Sequence, residues 1–429
     1  MSRCEPPPFV GESDQIDLTL EEHAICARQR HWIKTLINER SNLRDSLKAS
    51  AIPANNWSEH NGHMLTTLRR VEDGGWCNRL RDACPFFTGY ILRAMSYEPH
   101  YPEGPIDEFR AGRTEERDRY VALFRRLTEG VPAARRVRPP RRFGEAGWLV
   151  DEVIVNHDTC AYQARASILH HTGLLDRLAA RARDRVVTVV EIGGGYGALS
   201  LHLMSIIGNC RYVVIDLPES LLYSSIYLSV LAPHLANANG IDGGFDSRNP
   251  GFTFVPNYRL DALMAQIGSV DLFVNTLSMS EMSADQVNEY CGFIAATIAD
   301  DGVFFEQNHN NRPFGINDAK RLIAPHFPHH AALGGPADGC LFEQGFANLW
   351  ANSPKALAPL DRVPFRNHKP IVLHADDREV LLCYKERYFL LPANQDGSTH
   401  RMPEEGRHPS FQTLSEAFAG LEMPMSRCG

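Results

Sequence analysis

The sequence predicts a doubly wound α/β fold, a mostly parallel sheet covered by helices, with a mainly helical region ahead of it. Three observations carry this. Short apolar runs alternate with helix-like stretches from residue 151 to about 354. A glycine-rich turn, Gly193-Gly194-Gly195-Tyr196-Gly197, follows the first strong β-branched run. Residues 1–150 instead keep the three- and four-residue spacing of amphipathic helices.

Taken in chain order, residues 18–47 carry Ala24, Ile25, Ile33, Leu36, Ile37, Leu43 and Leu47 at helical spacing, until Pro53 and Asn55-Asn56-Trp57-Ser58 interrupt. A second helix is expected over 114–128, with Tyr120, Val121, Leu123, Phe124 and Leu127 on its apolar face. Residues 135–142 hold two adjacent prolines and five arginines and read as an exposed connection. No aromatic residues interleave with these arginines, as a nucleic-acid groove would require.

The run Val186-Val187-Thr188-Val189-Val190 suits a strand buried on both faces. A helix over 196–207 follows, then a strand at Tyr212-Val213-Val214-Ile215 and a helix over 221–231. Further strands are expected at 252–255, 272–274, 303–305, 331–333 and 346–350, with helices over 260–267 and 284–298. Residues 355–429 form a C-terminal extension, in which 380–384 and 388–391 could pair as a hairpin. The expected organisation is therefore 1–150, 151–354 and 355–429.

Composition narrows the partners. The 429 residues are 43% hydrophobic and 22% charged, enough for a sizeable core, and the net charge of −8 gives no general pull toward nucleic acid or anionic membrane. No apolar run is long enough to span a bilayer. A soluble, cytoplasmic protein is expected, with a small-molecule partner and a homodimer left open. The ten cysteines form no Cys-x-x-Cys pair and read as reduced thiols. His326, His329 and His330 have ligand-like spacing, but Pro328 argues against the continuous helix a metal site would need there. No metal ligand is assigned, although the carboxylates stay compatible with a divalent cation.

The glycine turn should open a ligand site, since ligands bind at the carboxyl ends of strands in an open α/β sheet. Gly193-x-Gly195-x-x-Ala198 fits a dinucleotide fingerprint, and Asp216 ends the next strand, where a carboxylate can accept from two ribose hydroxyls. NAD and S-adenosylmethionine share both features, and a purely structural turn is a third reading. Glu191 favours S-adenosylmethionine: an acid there faces a cationic amino group well and would repel a pyrophosphate. The cofactor set is Glu191, Gly193, Gly194, Gly195, Tyr196, Asp216, Leu217 and Asn275.

Glu191-Ile192-Gly193-Gly194-Gly195-Tyr196-Gly197 resembles the first motif of class I methyltransferases. With Ile215-Asp216-Leu217-Pro218-Glu219 and Asn275-Thr276-Leu277-Ser278-Met279-Ser280-Glu281-Met282, the chain resembles the sugar O-methyltransferase family of natural-product and surface-polysaccharide gene clusters. The resemblance covers roughly residues 150–350. It implies a Rossmann-like sheet of about seven strands and methyl transfer to a hydroxyl. Two other functions remain: methyl transfer to a non-sugar hydroxyl, amine or carboxylate, and cofactor binding without methyl transfer.

An alcohol acceptor needs a base on a loop at the carboxyl edge. His309, after the fifth strand, meets that condition, and Glu281, after the fourth, is the second candidate, with helix capping as its alternative role. His157 and Asp158 lie where a helical segment could cover the acceptor.

Overall fold

The computed structural model of the protein describes residues 7–11, 14–43, 46–48, 51–53, 75–84, 114–308, 319–333, 347–360, 371–375, 379–384, 387–392 and 409–422. The chain begins with β1 (Phe9–Val10), α1 (Leu20–Asn42), a 3-10 segment (Gly75–Ala83) and α2 (Thr114–Leu127). The hairpin β2 (Gly147–Val150) and β3 (Val153–Val155) follows, then α3 (His157–His171) and α4 (Leu174–Arg181). The central part runs β4 (Val187–Ile192), α5 (Ala198–Ile207), β5 (Cys210–Asp216), α6 (Pro218–Leu231), β6 (Ala238–Asn239), β7 (Gly251–Pro256), α7 (Leu260–Met264), β8 (Val270–Thr276), α8 (Ala284–Thr297) and β9 (Ile298–Gln307). It closes with α9 (Ala319–Ile323), β10 (His329–Leu333), β11 (Ala347–Ala351) and α10 (Pro354–Leu357). The last elements are β12 (Ile371–Ala375), β13 (Glu379–Tyr384), β14 (Arg387–Pro392), β15 (Ser410–Phe411) and α11 (Leu414–Glu422).

The central sheet has the order β10-β11-β9-β8-β4-β5-β7-β6. All neighbours from β9 to β6 are parallel, and β11 and β10 add antiparallel at one end. The expected doubly wound α/β fold is what the chain adopts, with two-residue β6 extending the sheet to eight strands.

Successive strand residues point to opposite faces, so a strand apolar at every position feeds two cores. Val187, Val189, Tyr212, Val214, Leu272, Val274 and Phe305 join one buried cluster. Val190, Ile192, Val213, Ile215, Phe273 and Phe304 join the other. Each such side chain contributes about 1.5–3 kcal/mol when fully buried.

The helix expected near residue 18 begins at Leu20, because Thr19 and Glu22 form a capping box that satisfies the first N–H groups. It packs on α6 through Gln29, whose amide donates to Ser229 Oγ at 3.3 Å. The β2–β3 hairpin was not expected. Its turn residues Asp151 and Glu152 both have positive φ (47° and 66°) without the Asn-Gly signature that marks such turns in sequence. That turn also falls at the expected boundary near residue 150. No helix among the described residues is long and apolar enough to cross a membrane.

The arginine-rich segment is less solvated than expected. Arg142 donates to both carboxylate oxygens of Glu22 at 2.7 and 2.6 Å, and Arg135 pairs with Asp176. Arg136 lies 3.7 Å from Asp151. Three of its cations therefore staple the segment to α1, α4 and the hairpin turn.

Candidate functional site

β4 ends at Ile192 and the chain turns through Gly193 (φ 74°) to Gly197 (φ 93°), where α5 begins. A Cβ at Gly193 would lie 2.2 Å from Ser278 Oγ, and one at Gly197 would lie 2.9 Å from the Leu228 side chain. Both positions thus need glycine for conformation and for space. Tyr196 sends its ring away from the turn into the core, beneath the Arg81 guanidinium, which sits 3.9 Å from the ring centroid. Only the Tyr196 backbone is left to face a ligand.

Arg81 itself is fully buried, donating to Glu145 at 2.6 Å and Asp158 at 2.8 Å. Asn156 donates to the other Glu145 oxygen at 2.6 Å, and His157 Nδ1 lies 3.2 Å from Asp158. The 3-10 segment and the start of α3 therefore brace the glycine turn from behind. Beside them, buried Arg165 donates to Gln307 Oε1 at 3.2 Å, joining α3 to the end of β9.

Glu191 is buried, and its Oε2 accepts from Ser200 Oγ at 2.5 Å and Tyr212 hydroxyl at 2.9 Å. Burial pushes its carboxyl above the ordinary carboxylate range, against those two bonds and the attraction of Arg165. Asp216 is half-buried at the end of β5 and accepts from Leu217 N–H at 2.8 Å and Gly195 N–H at 3.2 Å. Burial, with a further push from Glu191, raises its pKa to about 7, although the two backbone N–H groups favour the charged form. Among the described residues neither acid has an ion-pair partner. The two sit together at the carboxyl ends of adjacent strands.

Asn275, at the end of β8, is buried and uses its whole amide within the protein. It donates to Ile192 O (2.9 Å) and Ser278 Oγ (2.5 Å), and it accepts from Met279 N–H (3.3 Å) and Asn308 Nδ2 (3.0 Å). It therefore pins the end of β4 to the end of β8, where the winding of the sheet reverses. Leu277, next along, has φ 70°, a conformation that costs a non-glycine residue and is held by the surrounding bonds.

Glu281 is half-buried at the end of the 3-10 turn Ser278–Glu281. The N-cap of α8 is Ser283, which forms a capping box with Gln286. His309 lies outside the described residues, one position past Asn308. Sequence reasoning gave no role to Ser278, Asn308, Glu306 or Arg165; Ser278 lies inside the 275–282 motif, and no local motif marks the other three.

The N-terminal region reaches the same edge. Glu39 meets Tyr258 hydroxyl at 3.1 Å and pairs with Arg259, just after β7. Arg40 pairs with Glu219, just after β5. Lys48 lies 2.8 Å from Asp261, and Gln286 Nε2 donates to Ile52 O at 2.8 Å, just after β8. Glu39, Arg40, Lys48 and Ile52 thus strap across three connections at the carboxyl edge. Among the described residues, no group of three histidines, cysteines or acids is placed to hold a metal ion.

No protein-family model and no curated protein matches the chain. Solved structures similar to it include an O-methyltransferase family protein from Burkholderia thailandensis (14% identity, TM-score 0.30, 46% of this chain and 61% of that one). Others are human N-acetylserotonin methyltransferase in complex with SAM (15%, 0.27, 56% and 68%) and spermidine synthase from Thermotoga maritima (16%, 0.30, 47% and 66%). The chain spans about three fifths of the length of the Burkholderia protein.

Proposed function

We propose that this chain is an S-adenosylmethionine-dependent O-methyltransferase acting on a sugar or glycoside hydroxyl. The observation that carries the cofactor is the pair Glu191 and Asp216 around the glycine turn, two acids without an ion-pair partner among the described residues. Such a site suits a cationic sulfonium and ammonium and opposes a diphosphate, so the residues fit S-adenosylmethionine better than NAD. Asp216, half-buried, would accept from the ribose hydroxyls. Glu191 would supply negative potential toward the amino group. Gly193, Gly194, Gly195, Tyr196 and Leu217 would line the cofactor with backbone, and Asn275 would hold the turn in place.

When bound, S-adenosylmethionine would supply an electrophilic methyl group and its own leaving group. The protein must then orient the acceptor oxygen and take its proton. His309 would be the base, and Glu281, on the neighbouring connection, the second candidate. The strap formed by Glu39, Arg40, Lys48 and Ile52 and the start of α3 would wall the acceptor pocket. The sugar class rests on the resemblance of residues 275–282, and a cytoplasmic homodimer is part of the same reading.

Calorimetry tests the cofactor. S-adenosylmethionine or its demethylated product should bind, and tight NAD binding with no binding of either would overturn the reading. Methyl incorporation across glycosides and non-sugar natural products then tests the acceptor.

A further inference from the structure

At the ends of β8 and β9 lies a buried polar cluster around Glu306, to which no step above gives a role. Glu306, fully buried near the end of β9, accepts from Asn308 N–H at 3.0 Å and Asn308 Nδ2 at 2.9 Å. Its other oxygen accepts from Asn348 Nδ2 at 2.6 Å. Every one of these partners is a donor, so the group is built as an acceptor on both oxygens. Asn308, held in this way, donates to Asn275 Oδ1 at 3.0 Å and accepts from Ser280 N–H at 3.2 Å. Lys320 Nζ donates to the Asn308 carbonyl at 3.0 Å.

The far end is held as firmly. Asn348 Oδ1 lies 2.9 Å from His330 Nε2, and His330 Nδ1 lies 2.5 Å from the Tyr388 hydroxyl. Since Asn348 uses its amide nitrogen on Glu306, its oxygen accepts from His330 Nε2, and in the neutral ring Nδ1 then accepts from the Tyr388 hydroxyl. The chain of bonds runs from β14 through β10, β11 and β9 to the ends of β8 and β4.

We propose that Glu306 is a positioning residue that locks Asn308, at the end of β9, and the turn Ser278–Glu281 after β8 into one rigid piece. This rests on reading the carboxyl edge as the acceptor site. Glu281 is one residue past Ser280, and His309 is one residue past Asn308. Glu306 thereby sets how the turn that carries Glu281 and the last described residue before His309 sit against the cofactor turn, without touching substrate. A neutral amide at 306 would present NH2 to a donor and break one arm of the junction.

Hydrogen exchange of single amides tests this without knowing the acceptor. In the native protein the Ser280 and Asn308 amides should have protection factors within about threefold of each other, because they open together. In Glu306→Gln both should fall at least tenfold, although Ser280 N–H does not touch Glu306. The Thr188 amide, bonded to Asp271 at the opposite edge at 3.0 Å, should keep its protection, which general destabilisation would not allow. Native protection factors for Ser280 and Asn308 that differ more than tenfold overturn the proposal, whether or not the variant folds. So does a variant in which Ser280 keeps its protection, or in which Thr188 loses its own in step. Binding of S-adenosylhomocysteine, measured in parallel, keeps the two readings apart: its failure would remove the methyltransferase assignment and leave the measured coupling standing.

Discussion

At the amino edge of the sheet, buried Asp271 on β8 accepts from Arg185 at 2.9 and 2.5 Å, from Arg181, and from Thr188 N–H at 3.0 Å. At the carboxyl edge, Asp216 on β5 accepts from backbone N–H groups and, among the described residues, meets no cation. Burial works against ionisation in both. At Asp271 the bonds from Arg185, Thr188 and Arg181 outweigh it and hold the carboxyl below its ordinary range. At Asp216 burial wins, and the pKa rises to about 7. The same residue type on the same sheet is thus neutralised where it serves the fold and left short of positive charge where a ligand is proposed to bind.

The largest test of that division is at the proposed base. His309→Ala should lower turnover by about 10²–10⁴-fold with little change in cofactor affinity. Glu281→Gln should be the milder change, and the reverse ranking, in steady-state kinetics on a methylated acceptor, would exchange their roles. Asp216→Ala should weaken S-adenosylmethionine binding by roughly 10²-fold, since two hydrogen bonds to a charged group contribute about 1.5 kcal/mol or more each. Its folding should survive. Asp271→Ala should do the opposite, leaving the calorimetric Kd unchanged while lowering unfolding free energy by about 1–3 kcal/mol, the cost of a buried N–H without a partner.

The two acids also respond to pH with opposite signs. The raised pKa of Asp216 gives stability that is present below the ordinary carboxylate range and lost as pH rises through about 7. Asp271 gives stability that is present at neutral pH and lost as pH falls through its lowered pKa. Because ribose hydroxyls donate to the charged carboxylate, cofactor affinity should rise about tenfold per pH unit below about 7 and level off above it. Titration calorimetry from pH 5.5 to 8.5 reads this, and a flat profile would mean that Asp216 points elsewhere. The smallest effect is expected at the strap, where Lys48→Ala removes an exposed pair with Asp261 and should change stability by less than about 1 kcal/mol in denaturant unfolding.

What could be read from the sequence was what neighbouring residues determine. The β-branched run, the glycine turn and the acids at 191 and 216 lie within one strand–helix–strand stretch, and their placement follows from local spacing. The polar cluster does not: Glu306 meets Asn348 across 42 residues, and Arg165 meets Gln307 across 142. The arginines at 135–142 looked solvated because the acids that pair with them, such as Glu22, lie on distant elements. Asn275 was legible as a residue at the end of a strand, but not as one whose amide is fully occupied by protein.

The strap has a consequence during synthesis. α1 and Lys48 leave the ribosome well before their partners: Glu219 comes 179 residues after Arg40, Ser229 comes 200 after Gln29, and Asp261 comes 213 after Lys48. At about 5–20 residues per second, the helix waits roughly 10–40 s for the surface it will cover. Throughout that interval Ile25, Ile33 and Leu36, all buried in the finished protein, have no α6 to pack against. Most of the stability of a helix in a protein comes from packing of its apolar face, so the nascent chain carries an unmet apolar stripe until α6 has been made, and holding that stripe from other chains is a task for whatever binds nascent polypeptides first.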